Sequence, residues 1–199
     1  MNNICVYCGS GFGNKDEYLI AAKGLGKELA KRGIGLVYGG SSTGLMGTVA
    51  DSVLEAGGVV TGIIPKAIFE KELAHEGLTK LVVVDSMHQR KAAMAEAADG
   101  FIALPGGFGT FEELFEILTW AQLDFHQKPT GILNICGYYD NLKQQIEKSI
   151  TEGFVQEVHR QLVIIEDSSE EILNRFDTYK APPPVKWLSL LSQPHKRDI

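Results

Sequence analysis

The sequence predicts an α/β fold in which a parallel sheet of about seven strands is flanked by helices on both faces. Short apolar runs alternate with helical patterns along almost the whole chain, which is typical of repeated βαβ units. The predicted strands are 4–7, 35–38, 59–63, 80–84, 100–104, 130–134 and 162–165. Because runs such as 82–84 are continuously apolar, we expect strands that are covered on both faces.

Six helical segments separate or follow these strands, and they lie at 15–32, 45–56, 87–98, 110–124, 139–152 and 169–175. The 199 residues fit one domain with one sizeable core. We therefore assign residues 1–180 to a single domain. Residues 181–199 form a Pro-rich junction and a C-terminal tail, because three consecutive prolines at 182–184 end the alternating pattern.

Composition excludes several classes of protein. The net charge of −6 makes a nucleic-acid backbone an unfavourable partner, and no apolar run approaches the ~20 residues of a membrane span. The first residues lack the pattern of a signal peptide, so a cytoplasmic location is expected. Cys5 and Cys8 have a C-x-x-C spacing, but no second pair exists for a zinc site, and we interpret them as small residues at a strand end. No metal is expected.

Three glycine-rich turns follow predicted strands, at 8–13, 39–47 and 105–110. The carboxyl ends of parallel strands meet at one edge of a sheet, where ligands bind. Glycines let the backbone approach a ligand, and helix N-termini favour anions. Together the turns predict a ligand that contains phosphate. The G-x-G-x-x-G fingerprint and the P-loop ending are absent from the sequence.

Two cations interrupt an apolar helical stripe in segment 87–98. Met87, Arg90, Lys91, Met94 and Ala98 share one side at 3.6 residues per turn. Both cations could reach solvent over the helix edge. Alternatively, Arg90 lies at the ligand edge, where its guanidinium can hold a phosphate or sugar oxygen.

The helix after Thr110 is apolar on two sides, one of which also carries Glu113. Such a helix is buried on both sides, so we expect one face against the sheet and the other against a second subunit. Glutamates at a helix start often serve only the helix dipole, and this reading stays open for Glu112 and Glu116. Glu113, with apolar neighbours just after the phosphate loop, is the candidate for chemistry.

The segments Met-His-Gln-Arg-Lys-Ala at 87–92 and Pro-Gly-Gly-Phe-Gly-Thr-Phe-Glu-Glu at 105–113 resemble the LONELY GUY (LOG) family of cytokinin-activating phosphoribohydrolases, long mislabelled as lysine decarboxylases. Segments 39–47, 64–67, 119–123 and 137–140 resemble the family as well. The resemblance implies a Rossmann-like fold, usually dimeric, and hydrolysis of the N-glycosidic bond of N6-modified adenosine 5′-monophosphates, and often of AMP. The products are free base and ribose 5-phosphate, and no cofactor is implied.

Carried over residue by residue, the resemblance places Arg90 and Glu113 at the catalytic positions. The implied substrate-binding positions are Gly9, Ser10, Gly44, Glu72, Met87, Arg90, Lys91, Gly106, Gly107, Phe108, Gly109, Thr110, Phe111 and Glu112. One departure is that Ser41 follows Gly39 and Gly40 where many relatives have a third glycine. Serine can still contact phosphate, so we expect altered detail rather than loss of binding.

Two alternatives remain at this stage. A non-catalytic nucleotide sensor would use the same loops, although it would not need both Arg90 and Glu113. A pyridoxal-phosphate decarboxylase would need a Schiff-base lysine, and Lys91 is the only lysine in the motifs.

Overall fold

The protein is built around one seven-stranded parallel sheet. The computed structural model describes residues 1–70 and 74–184. Its strands are β1 (Asn3–Tyr7), β2 (Gly35–Tyr38), β3 (Val60–Pro65), β4 (Lys80–Val84), β5 (Gly100–Ala103), β6 (Thr130–Leu133) and β7 (Val163–Glu166). The strand order is β4-β3-β2-β1-β5-β6-β7, and every neighbouring pair is parallel. All seven predicted strands are confirmed to within a residue or two at their ends.

Helices cover both faces of this sheet. They are α1 (Asp16–Lys31), α2 (Gly44–Glu55), α3 (Lys66–Phe69), α4 (Met87–Ala97), α5 (Phe108–Gln122), α6 (Asp140–Thr151) and α7 (Ser169–Asp177). The six predicted helices are confirmed. The short helix α3 and the 3₁₀ turns Ile135–Gly137 and Glu157–Leu162 were not predicted, because segments of three to six residues are too short to show a helical period. No helix of the described residues is both long and apolar enough to cross a membrane.

Alternating residues of the strands divide the core between the two faces. Ile4, Val6 and Leu36 pack beneath α1, α2 and α7, whereas Cys5 and Phe101 pack beneath α4 and α5. A smaller cluster formed around Ala103, Ile132 and Tyr139 joins α5 to α6. The two cysteines of the C-x-x-C spacing, both buried and unpaired, therefore belong to opposite faces.

The expectation that 82–84 is covered on both faces is wrong. Strand β4 is the last strand of the sheet on one side, and Val83 is 47% exposed. A continuous apolar run is typical of a central strand, but it does not determine the position of the strand in the sheet. Edge position depends on how the whole chain is threaded.

The direction of the chain changes between β1 and β5. The chain proceeds from β1 outward to β4, then returns to pair β5 with the other side of β1. Helices α1 and α5, which follow β1 and β5, consequently lie on opposite faces of the sheet, and the loops that lead to them border a crevice at the carboxyl edge, where ligands bind in open α/β sheets. The N-terminal ends of α2, α4 and α5 lie along this edge, since each helix follows a strand.

Packing of α1 against α2 depends on Gly26, which faces the other helix. A Cβ at this position would lie 2.7 Å from Ser52 Cβ and 2.8 Å from the Val49 carbonyl oxygen. Gly24, on the same helix, has no neighbouring heavy atom within 4 Å of such a Cβ. The two glycines therefore form a matched pair in which only one is required by packing.

We expect Gly26→Ala to lower the free energy of unfolding by about 1–3 kcal/mol, because the added methyl group overpacks the α1–α2 contact. Gly24→Ala should instead raise it by about 0.5–1 kcal/mol, since alanine is the better helix former. Urea titrations of both variants check this prediction. Equal effects of the two substitutions would contradict it.

Candidate functional site

The loops after β1 and β5 meet at the crevice. The Gly9 amide donates a hydrogen bond of 3.1 Å to the Pro105 carbonyl oxygen, and the Leu104 amide donates one of 2.9 Å to the Tyr7 carbonyl. The loops are closely packed at Gly9, where a Cβ would lie 3.3 Å from Gly106 Cα. The two glycine-rich turns therefore form one continuous rim.

The three glycine turns differ in the helix amides that they leave for a ligand. In α2, the amides of Leu45 and Met46 both donate to the Gly9 carbonyl, at 3.1 and 3.3 Å. Helix α1 begins with Asp16 and Glu17, whose charges repel a phosphate. Of the turns that together predict a ligand with a phosphate, the third therefore leads to the helix N-terminus that suits an anion best.

The N-terminus of α5 has the features of an anion site. Its first turn contains no acidic residue. Its first amide with a backbone partner is that of Phe111, which donates to the Gly107 carbonyl at 3.1 Å. Within residues 1–70 and 74–184, the amides of Phe108, Gly109 and Thr110 have no hydrogen-bond acceptor. Three free amides and the positive end of the helix dipole favour a phosphate here.

Arg90 and Glu113 face each other across the crevice from α4 and α5. Arg90 Nη1 lies 3.2 Å from Glu113 Oε1, and both side chains are about nine-tenths buried, at 11% and 9% exposure. Helix α4 begins at a Ser86 cap whose Oγ accepts the Gln89 amide at 3.2 Å, which places Arg90 at the end of the first turn. The alternative that Arg90 reaches solvent over the helix edge is excluded.

The guanidinium of Arg90 is fixed by two further contacts. Its Nε donates to the Ile63 carbonyl at 3.2 Å, at the end of β3. Its Nη2 occupies space above Gly39, where a Cβ would lie only 1.9 Å from it. Gly39 therefore acts as the floor of the guanidinium site, a role that the sequence analysis did not assign.

Burial dominates the acidity of Glu113. Removal of the carboxylate from water raises its pKa to about 7, against the lowering influence of Arg90 and Lys91 and with smaller raising effects from Glu112 and Glu116. A carboxyl group with a pKa near neutrality can both accept and return a proton at physiological pH. Cys8, which is buried next to the site, is held neutral because burial raises its thiol pKa.

A cavity of about 220 Å³ brings these groups together. It is lined by Cys8, Gly9, Ser10, Met46, Arg90, Gly107, Phe108, Gly109, Thr110 and Glu113. Cys8 and Met46 were not among the predicted site residues. Both lie in glycine-rich turns, but nothing in the spacing indicates which side chains of a turn point into a crevice.

The remaining predicted residues lie around this cavity. Gly44 has φ +57°, and a Cβ there would lie 2.3 Å from the Ser10 carbonyl carbon, so it positions the Ser10 loop. Gly106 makes room for Thr110 Oγ1, 2.1 Å from where its Cβ would be. Met87 is 44% exposed at the start of α4. Phe111 packs edge-on against Tyr139 at 5.9 Å, in the core cluster between α5 and α6.

Lys91 lies between two carboxylates of α5. Its Nζ contacts Glu112 Oε1 and lies 3.0 Å from Glu116 Oε1. These hydrogen bonds raise the pKa of Lys91. Glu112 and Glu116 therefore do more than complement the helix dipole.

Two other hollows border the site. One of about 360 Å³ shares Gly9, Ser10 and Gly107 with the cavity and extends to Tyr18 and Tyr138. A larger hollow of about 820 Å³ has a described lining that includes neither Arg90 nor Glu113 and consists of Phe69, Glu70, Ala74, His75, Glu76, Leu78 and Leu81. The predicted Glu72 lies outside the described residues. No group of three His, Cys, Asp or Glu side chains in 1–70 and 74–184 is placed to hold a metal ion.

Comparisons with known proteins agree with this architecture. The family model described as "possible lysine decarboxylase" matches residues 46–176. The cytokinin riboside 5′-monophosphate phosphoribohydrolase LOG of Oryza sativa subsp. japonica is 49% identical over 176 residues, covering 88% of this chain and 73% of the rice protein. The cytokinin riboside 5′-monophosphate phosphoribohydrolase LOG3 of Arabidopsis thaliana is 48% identical over 176 residues, covering 88% of this chain and 82% of the Arabidopsis protein.

Solved structures show the same fold. The X-ray structure of TM1055 superposes with a TM-score of 0.70 at 25% identity, covering 90% of this chain and all of that one. A molybdenum cofactor binding protein from Rippkaea orientalis gives a TM-score of 0.69 at 22% identity over 89% of this chain and 96% of its own, which supports the Rossmann-like fold alone. With relatives at nearly half identity over most of its length, the chain belongs to the LONELY GUY (LOG) family.

Proposed function

We propose that the protein hydrolyses the N-glycosidic bond of adenosine 5′-monophosphates, including N6-modified ones, to free base and ribose 5-phosphate. The observation that carries this proposal is the buried Arg90–Glu113 pair in one cavity with the free amides of α5. The names of the rice and Arabidopsis relatives support the same reaction.

The 5′-phosphate is proposed to bind at the N-terminus of α5. There the amides of Phe108, Gly109 and Thr110 would donate to its oxygens, and Ser10 across the rim supplies a hydroxyl. The cavity is small, so a phosphate fixed at the helix end would place the ribose close to Glu113. Binding energy from the phosphate then orients the glycosidic bond for cleavage.

Glu113 is proposed as the catalytic carboxylate. When the C1′–N9 bond breaks, its electron pair goes to the base and positive charge develops on the sugar. An ionised Glu113 stabilises that charge and accepts a proton from the water whose oxygen bonds to C1′. The proton then reaches the departing base, which leaves neutral.

Arg90 is proposed to hold Glu113 and to contact substrate. Two of its five N–H donors already face the Ile63 carbonyl and Glu113, and the others can bind a sugar, phosphate or base acceptor. The other implied positions, from Gly9 and Ser10 to Phe111 and including Glu72, are proposed as substrate-binding residues. Lys91 and its partner Glu112 are exceptions that are treated separately below.

Decarboxylation does not fit this site. A Schiff-base lysine needs a lowered pKa so that the amine is neutral and nucleophilic. Contacts with Glu112 and Glu116 raise the pKa of Lys91 instead. The residues present therefore do not support a pyridoxal-phosphate aldimine at this position.

A homodimer, or a larger assembly, and a cytoplasmic location are also part of the proposal. The solvent side of α5 carries Phe115 at 45% exposure and continues to Leu123 and Phe125, at 38% and 72%. Such an apolar surface beside the site is suited to a second copy of the chain.

The proposed cytoplasmic location agrees with the cysteines. The three cysteines are all free, as is usual in a reducing compartment. The domain boundary near residue 180 stays a prediction, and residues 185–199 of the tail lie outside the described residues.

Base release from AMP and from isopentenyl-AMP tests the proposed reaction. We expect release of free base by the wild-type protein and a fall in kcat of about 10²- to 10⁴-fold for Glu113→Gln, which keeps the shape but loses the base. Glu96→Gln, at an exposed position on α4, should retain full activity. Tight nucleotide binding without any base release by the wild-type protein would favour the sensor alternative and overturn the proposal.

The pH dependence of kcat/KM should follow the ionisation of Glu113. The carboxylate is the active form, so kcat/KM should rise about tenfold per pH unit at low pH and level off above a midpoint near 7. The phosphate of the substrate titrates near pH 6. A single midpoint at or below 6 in a stopped assay across pH 5–9 would contradict the proposed role.

Gly39→Ala should reduce activity by displacing the Arg90 guanidinium, because the new methyl group would overlap Nη2. Steady-state rates in a double-mutant cycle with Arg90→Ala measure this effect. If Gly39 acts through Arg90, Gly39→Ala causes little additional loss once the guanidinium is removed. Additive losses in the double variant would show that Gly39 acts by another route.

A further inference from the structure

Three ion pairs join α4 to α5, one formed by Arg90 and two by Lys91. Consecutive residues of α4, Arg90 and Lys91, meet consecutive residues of α5, Glu112 and Glu113, with Glu116 one turn later. The Arg90–Glu113 pair is buried and lines the cavity. Lys91 does not line that cavity, and both of its partners are more exposed than Glu113. The two ion pairs of Lys91 therefore lie beside the reaction site rather than within it.

Two carboxylates of α5 hold the Lys91 ammonium group. Its side chain is only 11% exposed, so it needs hydrogen-bond acceptors, and Glu112 and Glu116 supply them. Glu112 and Glu116 are four residues apart on one helix face, where like charges repel each other. A cation between them removes this repulsion. Each of the three side chains thus depends on the other two.

The charge balance at this point includes Glu113. Three carboxylates, at 112, 113 and 116, stand against two cations, at 90 and 91, giving a formal charge of 2 − 3 = −1 when all are ionised. Lys91 lowers the pKa of Glu113, while Glu112 and Glu116 raise it. Three further groups near Glu113 are Cys5 and Tyr7 on β1 and Cys8 directly after it, and burial raises the pKa of each so that they stay neutral.

We propose that Lys91 is a positioning residue that neutralises Glu112 and Glu116 and thereby keeps Glu113 ionised at working pH, rather than a ligand of the substrate. The inference rests on the proposed function, since it deepens the role of the same site. It departs from the role that family resemblance implies for Lys91. Its physical basis is that the amine is already bound by two carboxylates and lies outside the cavity lining.

The test compares Lys91→Met with the triple variant Lys91→Met/Glu112→Gln/Glu116→Gln. Methionine keeps an unbranched side chain but removes the charge, so Glu112 and Glu116 act on Glu113 without compensation. We expect kcat/KM of Lys91→Met to fall about 3- to 10-fold at pH 6.5, as for a pKa shift of about 0.5–1 unit, and to stay within about twofold at pH 8.5. The triple variant loses cation and anions together, so its pH profile should return toward that of the wild type.

Several outcomes would overturn the proposal. A tenfold rise in KM at pH 8.5 with an unshifted midpoint would make Lys91 a substrate ligand. An equal loss at all pH values, in both variants, would give it a purely structural role. Thermal melting of each variant shows whether it is folded.

A second readout does not depend on turnover. Carboxyl ¹³C NMR of glutamate-labelled protein, with the Glu113 signal assigned through Glu113→Gln, follows the ionisation of Glu113 directly. The Glu113 midpoint should move to higher pH in Lys91→Met and return in the triple variant. If the wild-type protein releases no base but the NMR midpoint shifts as expected, the proposed reaction fails while the charge role of Lys91 stands; an unshifted midpoint refutes that role.

Discussion

The buried ion pair between Arg90 and Glu113 is the interaction around which this site is organised. Removing two charges from water is unfavourable, and in proteins a buried pair often does no better for stability than apolar residues of the same size. The fold accommodates the pair in two ways: Arg90 Nε donates to the Ile63 carbonyl, and the missing side chain of Gly39 leaves room for the guanidinium. The position of this costly arrangement in the ligand crevice supports the proposed role of the pair in binding or chemistry.

The threading of the chain explains why these groups meet. The pair lies on the sheet face covered by α4 and α5, helices that follow β4, at one edge of the sheet, and β5, beside β1. Arg90 must therefore reach from α4 across β3 and β2, which accounts for its contacts with Ile63 and Gly39. Glu113 stands one and a half turns into α5, so the same helix provides anion-binding amides at its end and a carboxylate on its buried side. Phosphate recognition and the proposed chemistry are thereby held at a fixed separation.

Local sequence determined much of this picture, and three-dimensional packing determined the rest. Strands and helices followed from apolar runs and periodicity, and the pair Arg90 and Glu113 followed from charges in apolar stripes and from family resemblance. The edge position of β4 could not be predicted, because a valine-rich strand has the same sequence pattern in the middle of a sheet and at its edge. Gly39 was missed as the floor of the guanidinium site because the need for a missing Cβ arises only when α4 packs over β2. The three glycine turns have similar sequences, and only the structure shows that the Leu45 and Met46 amides of α2 donate to the Gly9 carbonyl.

The ionisation of Glu113 shows how the surroundings of the pair complete its function. Burial alone favours the neutral acid, and Arg90 alone favours the carboxylate; the balance near pH 7 arises because both act on one group. A carboxyl group more exposed to water would be ionised but a weak base, and one buried without a cation would stay protonated. Glu112 and Glu116 would tilt that balance toward the protonated acid, and Lys91 offsets them from outside the cavity. The proton affinity of Glu113 is therefore a property of the α4–α5 contact as a whole.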